Sequence, residues 1–164
     1  MAPFQKAISI DTAIADVRDG SVLMFGGFGG VGSPPSLIEA ILDSGVTDLT
    51  VICNDAGFPD IGIGPLIVNQ RVKTLIASHI GSNPVAGKQM TEGTLEVQFS
   101  PQGTLAERIR AGGAGLGGIL TDVGIDNQMV CEKKDIVTVA GKRYLIEEAL
   151  TADFAFINAY IADE

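Results

Sequence analysis

The amino-acid sequence predicts an α/β fold, an open and mostly parallel sheet with helices on both faces. Three observations carry this expectation. Short apolar runs alternate with helix-like segments through the whole chain. Val22-Leu23-Met24-Phe25 is apolar without interruption, as expected of a strand buried on both faces. A glycine-rich loop and an amphipathic helix follow it directly, so that Ser21 to Gly45 reads SVLMFGGFGGVGSPPSLIEAILDSG, a strand-loop-helix unit built around a ligand.

Taken in order, Asp11 to Asp16, with Ala13, Ile14 and Val17 apolar, predicts a short helix capped at Asp11 or Thr12. After the strand, Ser33 before Pro34 and Pro35 supplies an N-cap and first-turn prolines, and Ser36 with Glu39 also reads as a capping box. Leu37 with Ile41 and Ile38 with Leu42 make the buried stripe, and Gly45 closes the helix as a left-handed cap. Leu49 to Cys53 is a strand ending in Asn54-Asp55-Ala56-Gly57, Gly62 to Asn69 a short helix, and Val72 to Ala77 a strand leading into Ser78 to Asn83. In Leu95 to Phe99 the apolar residues Leu95, Val97 and Phe99 alternate with Glu96 and Gln98, which predicts an edge or half-exposed strand. Thr104 to Ala111 follows as a helix with a Thr104/Glu107 capping box and an exit at Gly112. Ile136 to Val139 and Arg143 to Ile146 form a hairpin around Gly141, and Asp153 to Tyr160 is a last strand.

Composition narrows the classes of function. With 46% hydrophobic and 19% charged residues in 164, residues 1–164 read as a single globular domain with a sizeable core. A net charge of −9 leaves no basic patch for phosphates, which points away from nucleic acid. No apolar run is long enough for a bilayer and Met1 to Lys6 opens no signal peptide, so no membrane is expected and the cytoplasm is the default compartment. Cys53 and Cys131 fit there as reduced thiols, and one histidine, His79, makes no metal site with them.

Parallel topology sets four polar or glycine-rich loops on one sheet edge: Gly26 to Gly32, Asn54 to Gly57, Ser78 to Asn83, and Ser100 to Thr104. The first of these presents backbone N–H groups at a positive helix end, suited to an anion or oxyanion. Ordinary turn chemistry would also give such a loop. A dinucleotide fingerprint fits Gly27, Gly29 and Gly32, with Asp55 as the ribose acid, but Pro34 and Pro35 delay the helix where that fold starts it promptly. Gln102, between Pro101 and Gly103 at a helix mouth, has an amide able to donate to an oxyanion beside the glycine loop.

The pattern Asp19-Gly20-x-x-Leu23-Met24-Phe25-Gly26-Gly27-Phe28-x-x-x-Gly32-x-Pro34 resembles the first signature of the family I CoA-transferases. The likeness continues through Gly62-Ile63-Gly64-Pro65-Leu66, Ile76-Ala77-Ser78-His79-Ile80-Gly81, and Ser100 to Gly115, and is greatest to the A (alpha) subunits acting on acetate, butyrate or acetoacetate. It implies the Rossmann-like fold of that family and transfer of CoA between short-chain or 3-oxo carboxylic acids. CoA thioester is then a substrate, and no cofactor is implied.

The same resemblance gives Gln102 an oxyanion role at the thioester carbonyl. It places Gly26, Gly27, Phe28, Gly29, Gly30, Val31 and Gly32 against the CoA thioester, and Asn54 near the substrate. His79 is a candidate donor to a substrate carboxylate or a structural histidine. The nucleophilic glutamate of the family lies in a Ser-Glu-Asn-Gly type motif of a B (beta) subunit, which none of Glu39, Glu92, Glu96, Glu107, Glu132, Glu147, Glu148 or Glu164 matches. A hetero-oligomer with a B subunit is therefore implied.

Two departures stand out. Leu120-Thr121-Asp122-Val123-Gly124-Ile125 replaces a usual Thr-Pro-Thr-Gly, and the chain stops at Glu164 where the resemblance implies a further C-terminal segment. A non-catalytic ligand-binding or assembly domain retaining the fold is the alternative from another class, and an NAD-dependent oxidoreductase a third.

Overall fold

The computed structural model describes residues 6–162. In chain order its elements are α1 (Ile10–Ile14), β1 (Val22–Phe25), α2 (Pro35–Ser44), β2 (Leu49–Ile52), α3 (Gly64–Val68), β3 (Val72–Ala77) and α4 (Pro84–Glu92). There follow β4 (Glu96–Phe99), α5 (Gln102–Gly113), β5 (Gly118–Thr121), α6 (Gln128–Cys131), β6 (Ile136–Val139), β7 (Lys142–Glu148) and β8 (Phe154–Phe156).

Five strands pair in parallel in the order β4-β3-β2-β1-β8, and β5-β7-β6 form a separate antiparallel sheet. Helices cover both faces of the parallel sheet. On one face Leu23, Phe25, Val51 and Leu75 meet Ile38 and Ile41 of α2, Leu66 and Ile67 of α3, and Ala86 of α4. On the other, Ile52 and Ile76 meet Leu105 of α5 and Leu150. Each fully buried leucine or isoleucine among these contributes about 1.5–3 kcal/mol of apolar transfer. Because α5 and Leu150 cover only part of the second face, Val22 and Met24 are half-buried and β1 alternates, although its sequence is apolar throughout.

Several boundaries move for identifiable reasons. The cap of α1 is Ser9, whose Oγ accepts from Thr12 N, so neither Asp11 nor Thr12 serves. Helix α2 starts from Pro34 without a side-chain cap, and neither Ser33 nor the Ser36/Glu39 box forms one. Proline's fixed φ starts the turn instead. The Thr104/Glu107 box is likewise absent, because α5 begins two residues earlier at Gln102; Thr104 is buried inside it and Glu107 pairs with Arg110. Helix α4 was not expected, although Asn83 caps it with Oδ1 accepting from Val85 N and Ala86 N, and Pro84 follows as its first residue.

Strand β8 is three residues where eight were expected, because β1 turns away into the glycine loop after Phe25 and leaves residues beyond Phe156 no neighbour to extend the ladder. In the 120–125 stretch, Leu120 and Thr121 end β5, whose partner β7 is the second strand of the expected hairpin. Asp122, the charge gained there, forms an ion pair with Lys142 at 2.5 Å, and that hydrogen bond holds its carboxyl below the usual range.

A buried charge cluster fastens the small sheet to the large one. Glu147, 1% exposed, lies 2.7 Å from Lys134 Nζ and 3.5 Å from Arg108 Nη1, while Arg108 Nε donates to Glu148 O at 2.8 Å. Burial pushes the Arg108 guanidinium below its ordinary value, and Glu147 and Glu148 oppose that shift.

Candidate active site at the glycine loop

The loop from Gly26 to Gly32 leaves β1 and folds into a four-residue turn in which Phe28 and Val31 exchange both N–H···O bonds, at 2.9 and 3.0 Å. A second turn of the same form follows β2, with Phe58 and Ile61 exchanging bonds at 3.1 and 3.2 Å. The two turns lie against each other, since a Cβ on Gly30 would overlap Ile61 Cγ2. Phe28, Val31, Phe58 and Ile61 remain exposed.

Asp55 stands between the turns, 5% exposed, with every donor to it coming from the loops. Its Oδ2 accepts from Gly29 N at 2.8 Å and from Asn54 Nδ2 at 2.9 Å, and its Oδ1 from Gly57 N at 2.7 Å. A carboxylate so engaged is not free for a ribose, which removes the acid that the dinucleotide reading requires.

The loop's donors are fewer than its glycines suggest. The N–H groups of Gly26, Phe28, Gly29, Val31 and Ser33 are taken by protein acceptors, whereas those of Gly27, Gly30 and Gly32 have none among the described residues. Pro34 and Pro35 also remove two of the four donors that a helix start normally leaves open, so α2 adds Ser36 and Leu37 only. The hollow behind the loop measures about 10 Å³, on the order of one water. That hollow is too small to admit a ligand carbonyl with its substituents.

His79 joins the same edge through a backbone bridge to Asp55, its ring 5.9 Å from that of Phe28. Ser78 Oγ donates its single proton to Asn54 O at 2.6 Å and lies 3.0 Å from His79 Nδ1, so Nδ1 carries a proton and donates to the hydroxyl. The neutral ring then offers Nε2 as an acceptor, and donation to a carboxylate from that atom requires the imidazolium.

Gln102 is exposed in the first turn of α5, which follows β4 at the same sheet edge and lays Leu105 over Ile52 of β2 and Ile76 of β3. Its side chain makes no hydrogen bond to the described residues. A larger cavity, about 360 Å³, lies elsewhere, between β4, α6 and β7, and is lined by Phe99, Arg108, Lys134 and Glu147.

Nucleophiles native to the loop are lacking among the described residues. Cys53 donates its Sγ proton to Asp55 O at 2.7 Å, and burial, then the Asp55 charge, push its thiol far above the ordinary value. Asp55 is occupied as described. Glu39 lies exposed on α2, Glu107 pairs with Arg110, and Glu147 is sequestered by Lys134 and Arg108; Glu164 lies outside the described residues. No helix among the described residues is long and apolar enough to cross a membrane, and none of their His, Cys, Asp or Glu side chains group to hold a metal ion.

A parallel sheet whose strand ends carry a glycine loop with open N–H groups is the α/β architecture in which such loops line one sheet edge. Residues 7–164 match the family described as Coenzyme A transferase. The chain is 52% identical over 158 residues to acetate CoA-transferase subunit alpha of Escherichia coli K12, covering 96% of this chain and 71% of that one. It is 48% identical over 159 residues to the acetoacetyl-CoA:acetate/butyrate CoA transferase alpha subunit of Clostridium acetobutylicum, covering 97% and 72%. The solved acyl-CoA transferase YdiF of Escherichia coli O157:H7, as its thioester complex with CoA, superposes with a TM-score of 0.78 at 26% identity, over 92% of this chain and 33% of that larger one. The chain belongs to the coenzyme A transferase family, as a chain of the alpha-subunit type.

What sequence reasoning missed is the role of Asp55, weighed there only as a ribose acid, in joining the two loops. Its position in a strand-to-helix loop was visible, but its bond to Gly29 joins residues 26 apart in sequence and needs the sheet register to appear.

Proposed function

We propose that this chain is the alpha half of a short-chain acyl or 3-oxoacid CoA-transferase, with acetate and acetoacetate the favoured acids, and that a beta-type subunit completes its active site. The observation that carries the reading is the glycine loop itself: three N–H groups, on Gly27, Gly30 and Gly32, stand open at a sheet edge, within a loop that carries no glutamate of its own. The names of the relatives support the substrate class and the pairing.

In this reading a glutamate carboxylate of the partner attacks the acyl-CoA carbonyl, the C–S bond breaks, and an acyl-glutamyl anhydride and CoA thiolate result. The thiolate then attacks the glutamyl carbonyl, releasing the first carboxylic acid as its carboxylate and leaving a glutamyl-CoA thioester. The second carboxylate repeats both steps in reverse and leaves as the new thioester. Each attack places negative charge on a carbonyl oxygen, which the open N–H groups of the loop stabilise. CoA enters as a substrate, not as a resident cofactor. Asn54 and His79 stand beside the loop on the side where the acid would lie, His79 there either meeting the substrate carboxylate or serving as a structural histidine.

The test is to trap the intermediate. The alpha chain alone is expected to be inactive and its complex with a beta chain active; incubating the complex with acyl-CoA in the absence of acceptor, reducing the thioester with borohydride and mapping peptides by mass should find the modified glutamate on the beta chain. Modification of this chain, or robust transfer by it alone, overturns the reading.

Gln102 gives a second expectation. If it reaches the thioester oxygen within the complex, Gln102→Ala lowers transfer by about 10²-fold. Its side chain is exposed and unbonded, so stability stays within about 0.5 kcal/mol. Normal turnover in the variant removes the residue from the site.

A further inference from the structure

We infer that Asp55 is the positioning residue of the glycine loop: its buried carboxylate fixes Gly29 and Asn54 on one oxygen and Gly57 on the other, and so sets where the open N–H groups of Gly27, Gly30 and Gly32 point. This rests on reading that loop as the acyl-CoA site.

The geometry distinguishes a clamp from a local turn. A turn requires only the bond from Gly57 N to Oδ1, two residues along the chain. The bond from Gly29 N to Oδ2 crosses from the loop after β2 to the loop after β1, and is the hydrogen bond that ties the tip of the Phe28–Val31 turn to another element. Without it the tip is held by contacts of the Gly29 and Gly30 backbone with Phe58 and Ile61, which are apolar and non-directional. Asp55 also fixes the Asn54 amide, so one carboxylate orients both the carbonyl-facing donors and a side chain on the acid's side. An asparagine cannot replace it, because one oxygen and one NH₂ group cannot accept on both sides: whichever way the amide turns, a donor faces a donor at Gly29 or at Gly57.

The experiment uses Asp55→Ala and the isosteric Asp55→Asn, each with two readouts. Amide hydrogen exchange on the alpha chain should speed up at Gly29 by about tenfold or more in Asp55→Ala, and at Gly29 or Gly57 in Asp55→Asn, while Leu23 and Val51 in the core strands exchange as in the wild type. In the complex with the beta chain, kcat for acyl-CoA should fall about 10–100-fold with KM within about threefold, because the loop's donors act on charge that develops in the transition state. A purely structural carboxylate would instead raise exchange in the core strands and leave kcat per folded enzyme unchanged. Unaltered exchange at Gly29 in Asp55→Ala overturns the clamp, and faster exchange there with kcat within twofold of wild type overturns the positioning role. If the wild-type complex shows no transfer, the proposed function fails by itself, and the exchange measurement still decides whether Asp55 holds the loop.

Discussion

Replacing Gly64 by alanine is expected to destabilise the chain by about 3 kcal/mol or more. Gly64 is buried at the start of α3, and a Cβ there would overlap the Phe58 carbonyl oxygen and lie 2.6 Å from its carbon. The obstacle is backbone, so no rotamer relieves it. Either α3 moves off the sheet, uncovering Leu66 and Ile67, or the Phe58–Ile61 turn gives way. A urea melt should show the midpoint lowered by about 1.5 M, taking a slope of about 2 kcal/mol/M. Gly87, inside α4 with open space around it, is the control: Gly87→Ala is expected to raise stability by about 0.5–1 kcal/mol. Equal midpoints for the two variants would mean that the close approach at Gly64 does not constrain the fold.

Gly27→Val is expected to remove transfer, by about 10²–10³-fold or to background, while leaving a folded chain. Gly27 has φ +117°, where residues with a side chain are strained, and a Cβ would lie 2.8 Å from Ser33 N and overlap Ser33 Oγ. The clash falls within the loop and at the entry to α2, outside the β1 ladder, so the sheet should survive at a cost of about 1–3 kcal/mol. Circular dichroism of the variant should match the wild type, with binding to the beta chain retained and turnover lost. Gly29→Val is the milder change at this site, since the nearest atom to its Cβ is Phe58 Cε2 at 3.5 Å. Full turnover in Gly27→Val with the partner present would place the chemistry away from the loop.

The parts of the molecule that were legible from sequence are those with local causes. β3 falls on its expected residues because an apolar run bounded by polar loops needs no information from elsewhere, and Gly45 takes the left-handed cap with φ +81° for the same reason. Helix caps were the weakest inference, because Ser36/Glu39 and Thr104/Glu107 carry the spacing of a capping box while Pro34 and Pro101, two and three residues earlier, already cap the two helices. At the site, the strand order β4-β3-β2-β1-β8 brings the loops after β1, β2 and β3 together around Asp55, with the segment bearing Gln102 following the edge strand β4. Strand order is a long-range property, and motif spacing does not contain it. The second sheet was half visible: the β6–β7 hairpin turns at Gly141, but the pairing of β7 with β5 joins segments more than twenty residues apart.

The pairing of β1 with β8 also has a meaning in time. Val22 N donates to Asp153 Oδ2 across 131 residues, and Gly26 N, at the root of the glycine loop, donates to Phe156 O. A ribosome adding about 5–20 residues per second takes on the order of ten seconds to supply that last strand. Until it emerges, β1 is an unpaired edge and the base of the loop has no fixed partner. The nascent chain can therefore build the β2-β3-β4 side of its sheet early, whereas the root of the glycine loop is tied down only once Phe156 has emerged.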